Sequence, residues 1–324
     1  MREIRRVNRF FLILIVAYMG ISMLWGFIPI GDSILMRRLT VLLPELIMLV
    51  IALIYWRRSR ISFGRLIRFH RLSPVVIVLL IVFSIIILPF VTLLNAISMM
   101  FATNIISTEL SGMLTNSLAF GLFSIGIVPA FVEETVYRGI ICQTYVKYHW
   151  LKAVVLSGFL FGIMHGNLNQ FFYAWILGML FAVVVEVTDS ILSSMIVHFM
   201  INGVNVVGVF LMEKYQALVG TNSDSVIQES NTTYLNIKDI IGLLPSGLVC
   251  LLIAMGILFL IGRLSKRSGV LRQKIEEGNK INRETEVIED NFGKKRMKLW
   301  TWHLTVAFVL CLMLAITVEM AARI

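Results

Sequence analysis

Residues 118–145 read LAFGLFSIGIVPAFVEETVYRGIICQTY, an almost continuous apolar run into which Glu133, Glu134 and Arg138 are set. The run is long enough to cross a bilayer with some tilt. A charge at the centre of a membrane helix costs roughly 2.5–3.5 kcal/mol on insertion scales. Three such groups within six residues therefore point to a buried reactive site. Pro129 supplies a kink site one turn before Glu133.

The rest of the chain agrees with a membrane setting. Of its 324 residues, 58% are hydrophobic and only 15% are charged, whereas a soluble domain carries about 25% charged residues. Mean hydropathy is +0.87. The expected fold is all-α: a polytopic transmembrane helical bundle. Apolar runs fall near 10–30, 40–56, 74–101, 116–146, 152–166, 171–188, 190–212, 240–262 and 299–320, about nine spans in all. Runs 40–56 and 152–166 are short, so one of them is expected to be partial or re-entrant.

A formal charge of +10 suggests nucleic acid until the basic residues are located. Most lie in 2–9, 57–71, at Lys147 and Lys152, and in 263–298, the linkers between apolar runs. No nucleic-acid partner is expected. The positive-inside rule places these linkers and the N-terminus in the cytoplasm and, with nine spans, the C-terminus outside. The first apolar run follows MREIRRVNR but lacks a small-x-small cleavage site before Pro29, so it is expected to be a retained anchor. Cys142, Cys250 and Cys311 are scattered through apolar runs without CxxC pairing and are expected to be buried structural thiols.

The polar exceptions concentrate in the middle of the chain. We divide it into N-terminal membrane spans (1–110), a catalytic core of four spans (111–212), and a C-terminal part (213–324) holding an external loop, 213–239, further spans and the basic cytoplasmic loop 263–298.

Helix geometry separates the three charges of the opening run. Residues four apart share a face and neighbours diverge by about 100°, so Glu134 and Arg138 can pair while Glu133 points elsewhere. A carboxylate paired with arginine is structural. One without such a partner is a candidate general base or acid. The next run holds His165 with Gly158, Gly162 and Gly166 at four-residue intervals, a stripe that lets a neighbouring helix approach closely. Ser194, His198 and Asn202, also four apart, form one stripe on a third run.

Together these groups can hydrolyse an amide. Glu133 would take a proton from water, His165 would hold and polarise that water, and His198 with Asn202 would donate to the tetrahedral oxyanion. No HExxH zinc helix, GxSxG elbow or membrane aspartate pair is present. Zinc held by Glu133, His165 and His198 is the alternative. Asn202 is a poor zinc ligand and a good oxyanion donor, so no cofactor is expected.

The segments EETVYR (133–138), FGIMH (161–165) and HFMIN (198–202) resemble the EExxxR, FxxxH and HxxxN/D motifs of the CAAX protease and bacteriocin-processing family, also called Abi or CPBP. That family includes the type II CAAX prenyl endopeptidases, and the resemblance covers about residues 115–210. It implies a glutamate-dependent membrane protease with Glu133 as base, Glu134 as partner of Arg138, His165 as the motif histidine, and His198 with Asn202 at the oxyanion.

The implied partners are a peptide or membrane-protein substrate and the lipid bilayer, in a multi-pass protein of a bacterial plasma membrane. Peptide pheromones, bacteriocin precursors and membrane-anchored regulators are better candidate substrates than prenylated CAAX proteins. The rival readings are a non-enzymatic immunity protein that sequesters a peptide, and a transporter using Glu133 and the histidines as a proton relay.

Overall fold

The computed structural model describes residues 2–25, 34–103, 117–219, 237–277, 280 and 299–322. Among these the regular structure is helical, with no strand. In chain order the helices are α1 (Arg2–Trp25), α2 (Ile34–Ser59), the single turn α3 (Phe63–Leu66), α4 (Pro74–Ser98), α5 (Leu118–Val146), α6 (Trp150–Met164), α7 (Leu168–Thr188), α8 (Ile191–Val219), α9 (Ile237–Leu264) and α10 (Trp302–Ala322). Every apolar run of the sequence falls on one of them. Most of the loop 213–239 and of the loop 263–298 lies outside the described residues.

Seven helices, α2, α4, α5, α7, α8, α9 and α10, are long and apolar enough to cross a membrane. Two runs stand apart from these. Helix α1 opens with four arginines, and α6 has only 15 residues, about 22 Å against a hydrocarbon core of about 30 Å. Of the two runs expected to be short, α2 extends to 26 residues, and only α6 stays below spanning length. Outward faces carry apolar side chains such as Leu252 at 72% and Met313 at 60% exposure. Such a surface is stable only against lipid. The chain is a multi-pass membrane protein.

Local chemistry sets the helix ends. Ser73 Oγ accepts from Val76 N ahead of Pro74, and Ser117 Oγ accepts from Phe120 N at the start of α5. Asn167 Oδ1 accepts from Gln170 N at 2.7 Å to open α7. Gly166, at φ +66°, ends the α6 segment in a left-handed turn that other residues rarely adopt. Short connections make α5, α6, α7 and α8 successive antiparallel neighbours, so the C-termini of α5 and α7 share one end of the bundle with the N-termini of α6 and α8.

Gly158 and Gly162 deliver the close approach expected of the stripe. A Cβ at Gly162 would meet the Phe171 carbonyl at 2.6 Å, and one at Gly158 would meet the Trp175 carbonyl at 2.8 Å. Gly178 of α7 answers them, its own Cβ position lying 2.8 Å from Gly158 Cα and 3.1 Å from Arg138 Nη2. Gly166 plays no part in this seam and faces Leu314 of α10. Cys142 and Cys311 are buried free thiols, and Cys250 is half-buried.

Candidate active site

Helix α5 is not a uniform α-helix. Residues Leu122–Ile127 and Thr135–Cys142 are wound as π-helix, flanking the α-helical turns Val128–Glu134. Helical winding thus continues through Pro129, and the wider turns on both sides absorb the irregularity. Proline has no N–H to give to the carbonyl four residues back, which here is Ile125. Asn202 of α8 supplies the donor instead, its Nδ2 lying 3.0 Å from Ile125 O. One amide hydrogen of Asn202 is thereby engaged with α5, and its Nδ2 carries a second.

Glu134 and Arg138 pair as their spacing predicts. Arg138 Nη1 donates to Glu134 Oε1 at 2.8 Å, with both side chains essentially inaccessible. Sequence spacing did not reveal what surrounds that pair. His198 Nδ1 lies 2.9 Å from the same Glu134 oxygen, while Ser194 Oγ donates to Ile191 O at 3.0 Å. An ionised carboxylate only accepts, so with Glu134 held by Arg138 the His198 Nδ1 is the donor. The Nε2 edge is then turned to Glu133, 3.6 Å from Oε2.

Aromatic rings wall this network. The Arg138 guanidinium carbon sits 4.3 Å from the Phe161 centroid and 4.9 Å from that of Phe181, while Nε and Nη2 have no hydrogen-bond acceptor. The π-faces substitute for acceptors on those edges. Phe181 also stacks on His198 at 5.1 Å. Phe161 presents its ring to three partners, lying 5.1 Å from Tyr137, 5.0 Å from His165 and 6.0 Å from His198.

Glu133, Glu134, Arg138 and His198 are therefore brought into one cluster. His165, like His198, borders the Phe161 ring, and its Nδ1 lies 2.9 Å from the Phe161 carbonyl. Asn202 lies one turn beyond His198. Glu133 is not solitary: besides His198 it has the Glu45 carboxyl of α2 within hydrogen-bonding reach. Glu45, like Phe181, was not singled out in the sequence. A lone acid directly after Pro44 in an apolar run is the signal that marks it.

The two adjacent glutamates differ in access. The Glu133 side chain is 15% exposed and that of Glu134 is 0%. Among the described residues no three His, Cys, Asp or Glu side chains converge as a metal ion needs.

Comparison with known families bears on this same segment. Residues 114–204 match the family model described as "Type II CAAX prenyl endopeptidase Rce1-like". This segment is similar to that family. The match spans α5, α6, α7 and the first half of α8, under a third of the chain, and includes every motif residue named above. Over this segment the chain is similar to intramembrane proteases of the CAAX type. No curated protein and no solved structure matches the chain.

Proposed function

We propose that this protein is a metal-free intramembrane endopeptidase in which Glu133 activates water, and that its substrate is a membrane-associated protein or a small peptide. The observation that carries the proposal is the chain of contacts Arg138–Glu134–His198–Glu133. Two buried contacts orient one imidazole, and the only partly exposed acid of the chain of contacts stands at its free edge.

Each residue has a task in such a reaction. Glu133 accepts a proton from water as the water oxygen bonds to the scissile carbonyl carbon. His198, with Nδ1 donating to Glu134, must carry a second proton on Nε2 to donate to the oxyanion, and the second amide hydrogen of Asn202 is available beside it. Arg138 and Glu134 hold His198 in one orientation, with Nδ1 turned to Glu134, and Phe161 and Phe181 exclude water from that side. His165 borders the site beside Phe161 and contributes to positioning water. Substrate enters from the bilayer, where Phe123, Ile127 and Phe131 of α5 are exposed. The 1–110, 111–212 and 213–324 division gives the middle part the chemistry, in a bacterial plasma membrane with the N-terminus cytoplasmic.

Comparing membrane peptides from cells carrying the wild type or Glu133→Ala tests the proposal. Peptides that accumulate uncut only in the variant are expected. Equal peptide profiles, with both proteins inserted, favour a peptide-sequestering immunity protein. Glutamate-dependent proton flux across liposomes without cleavage favours the transporter. A strong chelator is expected to leave cleavage intact, and loss restored by zinc sinks the metal-free mechanism.

A further inference from the structure

We infer that Glu45 and Glu133 form a carboxyl pair that shares one proton across the α2–α5 interface, with Glu45 the positioning residue for the catalytic base. The inference rests on the reading of Glu133 given above. Glu45 sits in LLPELIM (42–48), the sole acid of α2. It is 9% exposed, and its Oε2 is a buried atom with no hydrogen-bond partner. Helix α2 packs on the part of α5 that bears Glu133, and the two carboxyls come within hydrogen-bonding reach of each other.

Two ionised carboxylates are acceptors only, so this contact requires a proton on one of them. Among the described residues the cationic groups near the pair are Arg138 and His198, whose Nε2 lies 3.6 Å from Glu133 Oε2, and neither is placed against Glu45. Around the pair stand Glu134, Tyr137 and Arg138 of α5 and His198 of α8, with Cys311 of α10 beyond Tyr137. Arg138 is committed to Glu134, as is His198 Nδ1. On α2 itself Arg38 lies over the Phe120 ring, and from α1 Arg6 lies over Tyr55. Like charges this close do not both ionise in an apolar setting, and the protons then belong to the pair and not to either residue.

A shared proton also closes the reaction cycle. The pair starts with one proton and takes a second from water as the water oxygen bonds to the carbonyl carbon. It returns a proton to the amine nitrogen as the C–N bond breaks, and ends as it began. No further acid is needed for the leaving group.

The test is an infrared titration of the full protein in lipid nanodiscs, following carboxyl absorption without substrate. Wild type is expected to show two coupled titration steps, and Glu45→Gln and Glu133→Gln are each expected to collapse these to one step for the carboxyl that remains. Glu45→Asp is expected to restore two steps. Because either glutamine variant reads the coupling, misfolding of one leaves the other decisive. Variant spectra that each lose one independent carboxyl, with the other unchanged, overturn the pair. That result can coexist with Glu133-dependent cleavage. Conversely, a coupled pair in a protein that cuts nothing sinks the protease reading and leaves the pair standing.

Discussion

Two ionic networks in this molecule each centre on an arginine–glutamate pair and differ in how far they open to solvent. Inside the bundle, Arg138, Glu134 and His198 are sealed among Phe161 and Phe181. At the end shared by the α7 C-terminus and the α8 N-terminus, Arg68 pairs with Glu186 and Asp189. Arg267 and Lys274 add contacts at 3.5 and 3.2 Å. This second network ties the α3–α4 connection to the α7–α8 turn, where Ile191 N also donates to Arg68 O at 3.1 Å. Asp189, in the left-handed region at φ 60°, remains 35% exposed.

The contrast teaches that burial, not pairing, decides what an ion pair is for. The interior network holds one imidazole against one carboxyl with no water to compete. The rim network fastens loops and opens to solvent at Asp189, although its Glu186 is buried. Although burial acts to raise it, the hydrogen bond and charge of Arg68, with Arg267 nearby, hold the Asp189 carboxyl below its ordinary range.

The largest expected effect separates the two adjacent interior glutamates. Glu133→Gln should lower cleavage by about 10²–10⁴-fold, the usual contribution of a general base, with little change in thermal unfolding. A fully active variant removes Glu133 from the mechanism. Arg138→Ala should instead lose about 3–5 kcal/mol of stability, because it strands the Glu134 charge in an apolar wall. Unfolding in detergent measures this, and a neutral outcome erases the distinction between interior and rim.

Gly162→Ala sharpens the comparison through packing. Its Cβ would lie 2.6 Å from the Phe171 carbonyl, so α6 and α7 must separate, at about 1–3 kcal/mol. The aromatic wall around Arg138 should loosen with them. The smallest effect belongs to the rim: Asp189→Asn should change stability by less than about 1 kcal/mol and less still at high salt. Since the folded-state value of Asp189 is depressed, its contribution is present above its ordinary 3.8 and fades as pH falls below that. The difference between wild type and variant should shrink in step. A large, salt-insensitive loss makes the rim a second interior.

Much of this architecture was legible in the order of residues. Hydropathy located every long helix among the described residues, because a bilayer demands a minimum apolar length, and the i, i+4 rule paired Glu134 with Arg138. It also marked Gly158 and Gly162 as a close-packing edge. Less legible were the partners that arrive from other helices. Nothing near residue 45 announces Glu133, and nothing near residue 181 announces a ring against both Arg138 and His198.

Asn202 shows the boundary most clearly. Its stripe with Ser194 and His198 follows from spacing alone, and Pro129 is visibly a residue without an N–H. That the one repairs the other through Ile125 O depends on α8 lying against α5. By itself, then, the sequence determined the helices, their ionic pairs within a turn and their close-packing faces, since these depend on periodicity along one chain segment. Only the tertiary structure decided that His198 faces two glutamates and that Glu45 meets Glu133, because contacts across helices depend on rotation and depth, which local periodicity does not encode.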